Sequence, residues 1–156
     1  MLLQRTTGCA VVLLNDADAA GIAEMTFGAG KNQRGLVLMV TLGTGIGTAL
    51  FWDGMLAPNT ELGHIEVRGK DAERRAADRV RVAKGWDWPT WAAHVDEYLG
   101  RLEALFSPDI LIIGGGVSRK AEHFLPLLHR KARVLPAQLL NEAGIVGAAL
   151  AAVRRP

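Results

Sequence analysis

A chain of 156 residues is long enough for one domain with a real core, and its 49% hydrophobic content excludes a disordered polypeptide. Eighteen Lys and Arg against sixteen Asp and Glu leave a net charge of +2, too small to imply nucleic acid by itself, although a pI near 9.0 permits polyanion contacts. The one cysteine, Cys9, excludes an intramolecular disulfide and any multi-cysteine metal site within the chain, and it suits a reducing cytoplasm.

Arg5 is the one charged residue ahead of the short apolar run Cys9 to Leu14, which leads straight into Asn15-Asp16 rather than a small-residue cleavage site, so no signal peptide is expected. Ala10 to Leu14 reads as a buried strand, and Asn15 to Glu24 as the start of a helix. Asn and Asp are good N-caps, which alone explains Asn15-Asp16. A carboxylate at the carboxyl end of a buried strand also occupies the place where α/β proteins build ligand sites, which makes Asp16 a candidate.

Gly28 to Arg34 is a polar, glycine-punctuated loop, with Lys31 and Arg34 read as solvated. It feeds the apolar run Leu36 to Val40, too short for an isolated helix and right for a buried strand. Next comes Thr41-Leu42-Gly43-Thr44-Gly45-Ile46-Gly47. Three glycines on alternate positions let backbone N–H groups approach an anion with no Cβ between, which invites a phosphate. A dinucleotide-binding βαβ unit would need a long helix after the last glycine. Thr48 to Trp52 reads instead as a returning strand, closed by Asp53-Gly54, with Pro58 preventing regular continuation. The glycines serve either a phosphate or the sharpness of the hairpin itself.

Glu61 and His64 stand three residues apart around Gly63, a spacing that puts both on one helix face or lets both converge from a loop. Between Arg68 and Lys84 seven positive residues face three negative ones, a local excess of +4 that reads as a solvated helix face or as an anion track. Trp86-Asp87-Trp88-Pro89 marks a helix entry with proline in the first turn. Trp91, Val95, Tyr98, Leu99, Leu102 and Phe106 follow at helical spacing, as a core stripe. Ser107-Pro108 stops that helix, and Asp109 to Ile113 is a further buried strand. Gly114-Gly115-Gly116-Val117-Ser118 then opens a long helical region, a second anion-binding geometry, which Pro126 and Pro136 interrupt downstream. The last helix, about Asn141 to Val153, carries Gly144, Gly147 and several alanines that permit close packing. At 11 apolar-to-weakly-polar residues from Ala143 it falls short of the ~20 a membrane span needs, and no membrane partner is expected.

Four motifs, Leu14-Asn15-Asp16-Ala17-Asp18-Ala19-Ala20, Leu42-Gly43-Thr44-Gly45-Ile46-Gly47, Glu61-Leu62-Gly63-His64 and Ile112-Ile113-Gly114-Gly115-Gly116-Val117-Ser118, resemble in order and spacing those of the ROK family of sugar kinases and repressors, over about residues 9 to 153. The resemblance implies an α/β, actin-like ATPase domain (ribonuclease H-like) with two lobes around a cleft. Residues 1–20 would end the amino-terminal lobe and 21–156 would form the carboxy-terminal one. It implies phosphorylation of glucose at the C6 hydroxyl in the cytoplasm, with polyphosphate or ATP as donor. Asp16 matches the family's general base. Asn15, Glu61 and His64 match sugar-hydroxyl ligands, and Glu73 a further sugar-binding glutamate. Thr41, Gly43, Thr44, Gly45 and Gly47 match a phosphate-binding turn, and Gly114, Gly115 and Gly116 the adenosine-side motif.

Mg²⁺ is expected with the donor phosphates. Zinc is not, because the cysteine cluster most members carry after Glu-x-Gly-His is replaced by Glu66 to Glu73, which contains no cysteine. The family's Asp-x-Gly-Gly-Thr phosphate loop has no counterpart before Asp16, so the expectation is a partial kinase domain with impaired activity. The alternative is a non-catalytic sugar-binding or regulatory domain. The helix-turn-helix of the repressor branch is missing too, which disfavours nucleic acid; a homodimer is compatible with the sequence. A polyphosphate chain offers a line of charges and no base, so spaced arginines suit it, and Arg74, Arg75, Arg79 and Arg81 are the expected track.

Overall fold

The computed structural model describes residues 2–153. Helix α1 (Leu2–Thr7) is short and exposed. The run at residues 10–14, expected as a buried strand, is irregular, with Val12 and Leu13 at 47% and 74% exposure. A strand needs a neighbour to receive its backbone hydrogen bonds, and among the described residues none pairs with this run. Helix α2 (Asp16–Phe27) begins where the sequence puts a cap: Asn15 keeps an extended backbone and its Oδ1 accepts the Ala17 N–H at 2.9 Å.

Strands β1 (Leu36–Leu42), β2 (Ile46–Trp52) and β3 (Met55–Ala57) form an antiparallel meander. Leu42 stands opposite Ile46, so Gly43-Thr44-Gly45 is the turn between them. Asp53 and Gly54 close the second hairpin with φ of 48° and 82°, the left-handed pair such two-residue turns demand. The charge-rich window is not one helix. It holds a small hairpin, β4 (Glu66–Val67) and β5 (Lys70–Asp71), followed by the short helices α3 (Glu73–Ala76) and α4 (Asp78–Lys84).

Helix α5 (Trp88–Phe106) has Asp87 as N-cap and Pro89 in its first turn. It leads to β6 (Ile110–Gly114) and then to β7 (Arg133–Pro136), both parallel to β1. The sheet runs β3-β2-β1-β6-β7, with β2 opposed to its neighbours. That is the actin-like, ribonuclease H-like order the motifs imply. Strand β7 was hidden in the sequence by Pro136, which is tolerated because it ends an edge strand.

The alternation of the strand side chains sorts the core into two layers. Leu38, Val40, Leu42, Leu111 and Ile113 meet Trp91, Val95, Tyr98, Leu99 and Leu102 of α5. On the other face Val37, Met39, Ile110 and Ile112 meet Ala20, Ile22 and Met25 of α2. Burial on both faces is why these strands read as continuous apolar runs. Helix α6 (Ala143–Val153) lies against α2 so closely that a Cβ on Gly147 would overlap the Ala19 carbonyl oxygen.

The long helical region expected after Gly114-Gly115-Gly116 is absent. In its place are two 3₁₀ segments, Gly116–His123 and Leu125–Leu127, broken where Lys120 leaves helical backbone and where Pro126 follows. The glycines there do not open an α-helix, and the dipole of a long helix is not available to an anion. Among the described residues no helix is long and apolar enough to cross a membrane.

Candidate active site in the hairpin cleft

A cleft of about 510 Å³ opens at the Gly43-Thr44-Gly45 end of the β1–β2 hairpin. It gathers Asn15 and Asp16 from the start of α2, Thr41, Gly43, Thr44, Gly45 and Gly47 from the hairpin, Glu61 and His64, Glu73 from α3, and Gly115. Five segments far apart in sequence therefore converge on one space. Gly114, Gly116 and the four arginines do not line it.

Asn15, Glu61 and His64 are each tied to a neighbouring side chain. Asp16 is the first residue of α2 and is exposed at the cleft. Asn15 divides its amide: Oδ1 caps α2, and Nδ2 donates to Glu61 Oε1 at 3.3 Å. Glu61 precedes a 3₁₀ turn, Leu62–His64, that is fastened to β2. The Thr48 and Thr60 hydroxyls stand 3.0 Å apart, and the Leu62 N–H donates to Thr48 Oγ1 at 3.2 Å. Gly63 permits the contact, since a Cβ there would overlap the Ile46 carbonyl. His64 Nδ1 lies 3.4 Å from Asp71 Oδ2.

The turn itself needs its glycines for different reasons. A Cβ at Gly45 would fall 2.8 Å from Glu73 Oε2, and one at Gly47 would fall 2.7 Å from Thr41 Oγ1. The bare backbone thus lets the Glu73 carboxylate and the start of α2 close on the hairpin. The Gly43 N–H donates to the Gly45 carbonyl at 3.0 Å, and the Arg79 N–H donates to the Gly43 carbonyl at 3.1 Å, so α4 begins beside the turn. Gly115, at φ 84°, is pressed against the Leu42 backbone.

Sequence reasoning missed Asp18. Its side chain is fully buried, Oδ2 accepts the Asn59 N–H at 2.8 Å, and Oδ1 is buried without a partner. Burial pushes its carboxyl above the usual aspartate value, the Asn59 hydrogen bond opposes this, and the nearby Glu61 and Asp16 add to it. Asp18 thereby ties the loop that presents Glu61 to the helix that presents Asp16. The available signal was the spacing of Asp18, Gly21 and Glu24, three residues apart on a face of α2 otherwise made of small side chains, a face that turns inward.

The four arginines divide. Arg75 donates to Glu97 Oε2 at 2.9 Å, and Glu97 also pairs with Arg68. The Arg68 hydrogen bond, more than that of Arg75, holds the Glu97 carboxyl below the usual range against the opposing effect of burial. Arg81 donates to Asp78 Oδ1 at 2.7 Å and lays its guanidinium 4.1 Å over the Trp88 ring. Arg74 and Arg79 are exposed and make no ion pair among the described residues. Also among the described residues, no group of three or more His, Cys, Asp or Glu side chains is arranged to hold a metal ion.

A reversed second strand in a β3-β2-β1-β6-β7 sheet, with an Asn-Asp helix start and a glycine hairpin facing one cleft, defines a class, and residues 1–80 match the model of the ROK family; the chain belongs to that family. Among its relatives, the polyphosphate glucokinase of Mycobacterium tuberculosis (strain CDC 1551 / Oshkosh) is 54% identical over 146 residues, which is 94% of this chain and 55% of that protein. The crystal structure of an inorganic polyphosphate/ATP-glucomannokinase from Arthrobacter sp. strain KM superposes with a TM-score of 0.92 at 47% identity, covering 97% of this chain and 60% of that one. A ROK family glucokinase from Streptomyces griseus, in complex with glucose and AMPPNP, gives a TM-score of 0.80 at 26% identity over 98% and 71% of the two chains. The chain spans about half the length of the curated relatives it matches.

Proposed function

We propose that the cleft binds glucose and serves transfer of a phosphoryl group to its C6 hydroxyl, with polyphosphate as donor and ATP as a second one. The observation that carries this reading is the convergence of Asn15, Asp16, Glu61, His64 and Glu73 on the space beside the Gly43-Thr44-Gly45 turn. It is supported by the relatives named polyphosphate glucokinase and polyphosphate/ATP-glucomannokinase.

In this reading Asn15, Glu61, His64 and Glu73 hold the sugar hydroxyls. Asp16 takes the proton from the C6 hydroxyl as that oxygen attacks the donor's terminal phosphorus; the bond from that phosphorus to its bridging oxygen breaks, and the donor, one phosphoryl group shorter, leaves with that oxygen. Thr41, Thr44 and the glycine backbone cradle the donor phosphate, and Gly115 lies on the donor side. Phosphoryl transfer is mostly positioning and charge stabilisation, so a rigidly held acceptor and a bare backbone turn are the parts the chemistry asks for. Mg²⁺ brought with the donor would offset the charge of its phosphates.

The test combines calorimetry with a glucose-6-phosphate assay on the chain and on Asp16→Asn. Loss of a general base is expected to lower the phosphorylation rate by at least ~10²-fold. Glucose affinity should change far less, because Asn15, Glu61 and His64 remain. Absence of glucose binding by the unaltered chain would overturn the reading, and undiminished turnover in Asp16→Asn would return Asp16 to the role of a helix residue.

A further inference from the structure

Glu24 lies two turns along α2 from Asp16 and has no exposed surface. Its carboxylate is nonetheless filled by backbone alone. Oε2 accepts the Ala29 N–H at 2.8 Å, and Oε1 accepts the N–H groups of Gln138 and Leu139 at 2.8 and 2.7 Å. Room for this arrangement depends on Gly28, where a Cβ would overlap Glu24 Oε2. A buried carboxylate is costly unless its oxygens are occupied, and three charge-assisted bonds occupy them.

Two of the three donors are more than a hundred residues away, on the segment that leaves β7 and enters α6. That segment also gives Ala137, Leu140 and Ala143 to the cleft, whose lining includes Gly115. Leu140 has φ of 50°, a left-handed backbone that persists in a leucine only when the surroundings impose it. Among the described residues, Glu24 is the α2 side chain whose hydrogen bonds reach this segment.

We propose that Glu24 is a positioning residue for the donor side of the cleft, clamping residues 137–143 to α2 so that the wall facing the donor keeps a fixed relation to Asp16. The donor assignment rests on the functional reading above, whereas the clamp does not. A glutamine cannot replace it. Turned either way, its amide presents one oxygen and sets an NH₂ against a backbone N–H that needs an acceptor.

The experiment compares the unaltered chain with Glu24→Gln and Glu24→Asp by residue-resolved amide hydrogen exchange, and by calorimetry with tripolyphosphate and with glucose. In Glu24→Gln the Gln138 and Leu139 amides should exchange at least ~tenfold faster, while Met39 and Val40 in the central strand keep their rates. Tripolyphosphate should bind about tenfold more weakly, with glucose affinity held within about threefold. Glu24→Asp, which keeps both oxygens on a shorter arm, should lie between the two and serves if the glutamine variant does not fold. Equal acceleration across β1 and residues 138–139 would make Glu24 an ordinary core residue and overturn the proposal. Unchanged exchange at Gln138 and Leu139, or a glucose defect as large as the tripolyphosphate defect, would also overturn it. No tripolyphosphate binding by the unaltered chain would count against the functional reading, and the exchange pattern would still decide the clamp.

Discussion

Asp18 shows how one side chain can serve a site and burden the fold at once. Its Oδ2 holds Asn59, while Oδ1 is buried without a partner and two further carboxylates, Asp16 and Glu61, stand near. A folded-state pKa above the unfolded value means that the native protein holds the proton more tightly. The contribution of Asp18 to stability is then full below the unfolded value and is lost as pH rises through the folded one. Asp18→Asn keeps an acceptor for Asn59 and removes the charge. Melting temperatures across pH should show the variant gaining most over the parent near pH 7 and losing that advantage towards pH 4. A gain confined to acid, or none at neutral pH, would mean that the charge on Asp18 strengthens its hold on Asn59 more than burial costs it.

At the scale of elements, the packing of α2 on α6 is the tightest constraint. The Ala19 carbonyl occupies the place a Gly147 side chain would take. Gly147→Ala should therefore force the helices apart and cost about 2–3 kcal/mol, the upper part of the usual overpacking range, seen as a lower urea midpoint with an unchanged m-value. A neutral result would place the slack in α6, whose Ile145 and Val153 are exposed. Such elements were legible to different degrees. The β1–β2 hairpin could be read from its glycines and from Asp53-Gly54, because turn chemistry is local. The Asn15 cap, the Trp91 to Leu102 stripe and the order of the motifs were legible for the same reason. The run at residues 10–14 misled because an apolar pentapeptide looks the same whether or not a neighbouring strand exists. Strand β7 was concealed by a proline whose tolerance depends on being at an edge. The 3₁₀ segments after Gly116 were read as a helix because their composition does not record the break at Lys120. Asp18 and Glu24 were passed over because their partners, Asn59, Gln138 and Leu139, lie 41 to 115 residues away.

For the whole molecule, the net charge of +2 matters less than where unpaired cations lie. Charge counting treats Arg74, Arg75, Arg79 and Arg81 alike, yet Arg75 and Arg81 brace α3 and α4 against α5, whereas Arg79 lies in the first turn of α4, its N–H on the Gly43 carbonyl, and is exposed. Arg75→Ala is expected to lower the melting temperature, since it leaves Glu97 with one partner fewer. Arg79→Ala should leave the melting temperature within about 2 °C, the shift expected of ordinary surface changes. It should weaken tripolyphosphate binding at low salt, a defect that shrinks as added salt screens the parent's advantage. Equal thermal effects, or a salt-independent loss, would refute this division of labour. The contact between Ala19 and Gly147 finally decides what kind of motion this fold can contribute to its cleft. At Gly147 the Ala19 carbonyl meets bare backbone, with no side chain between α2 and α6 at that point, and the Glu24 carboxylate fastens α2 a second time, to residues 138–139 just ahead of α6. Both fastenings oppose separate movement of the helix bearing Asp16 and of residues 137–143 in the cleft wall. Narrowing of the cleft is then left to its other walls, the β1–β2 turn and the segments bearing Glu61 and Glu73, with this pair as the anvil.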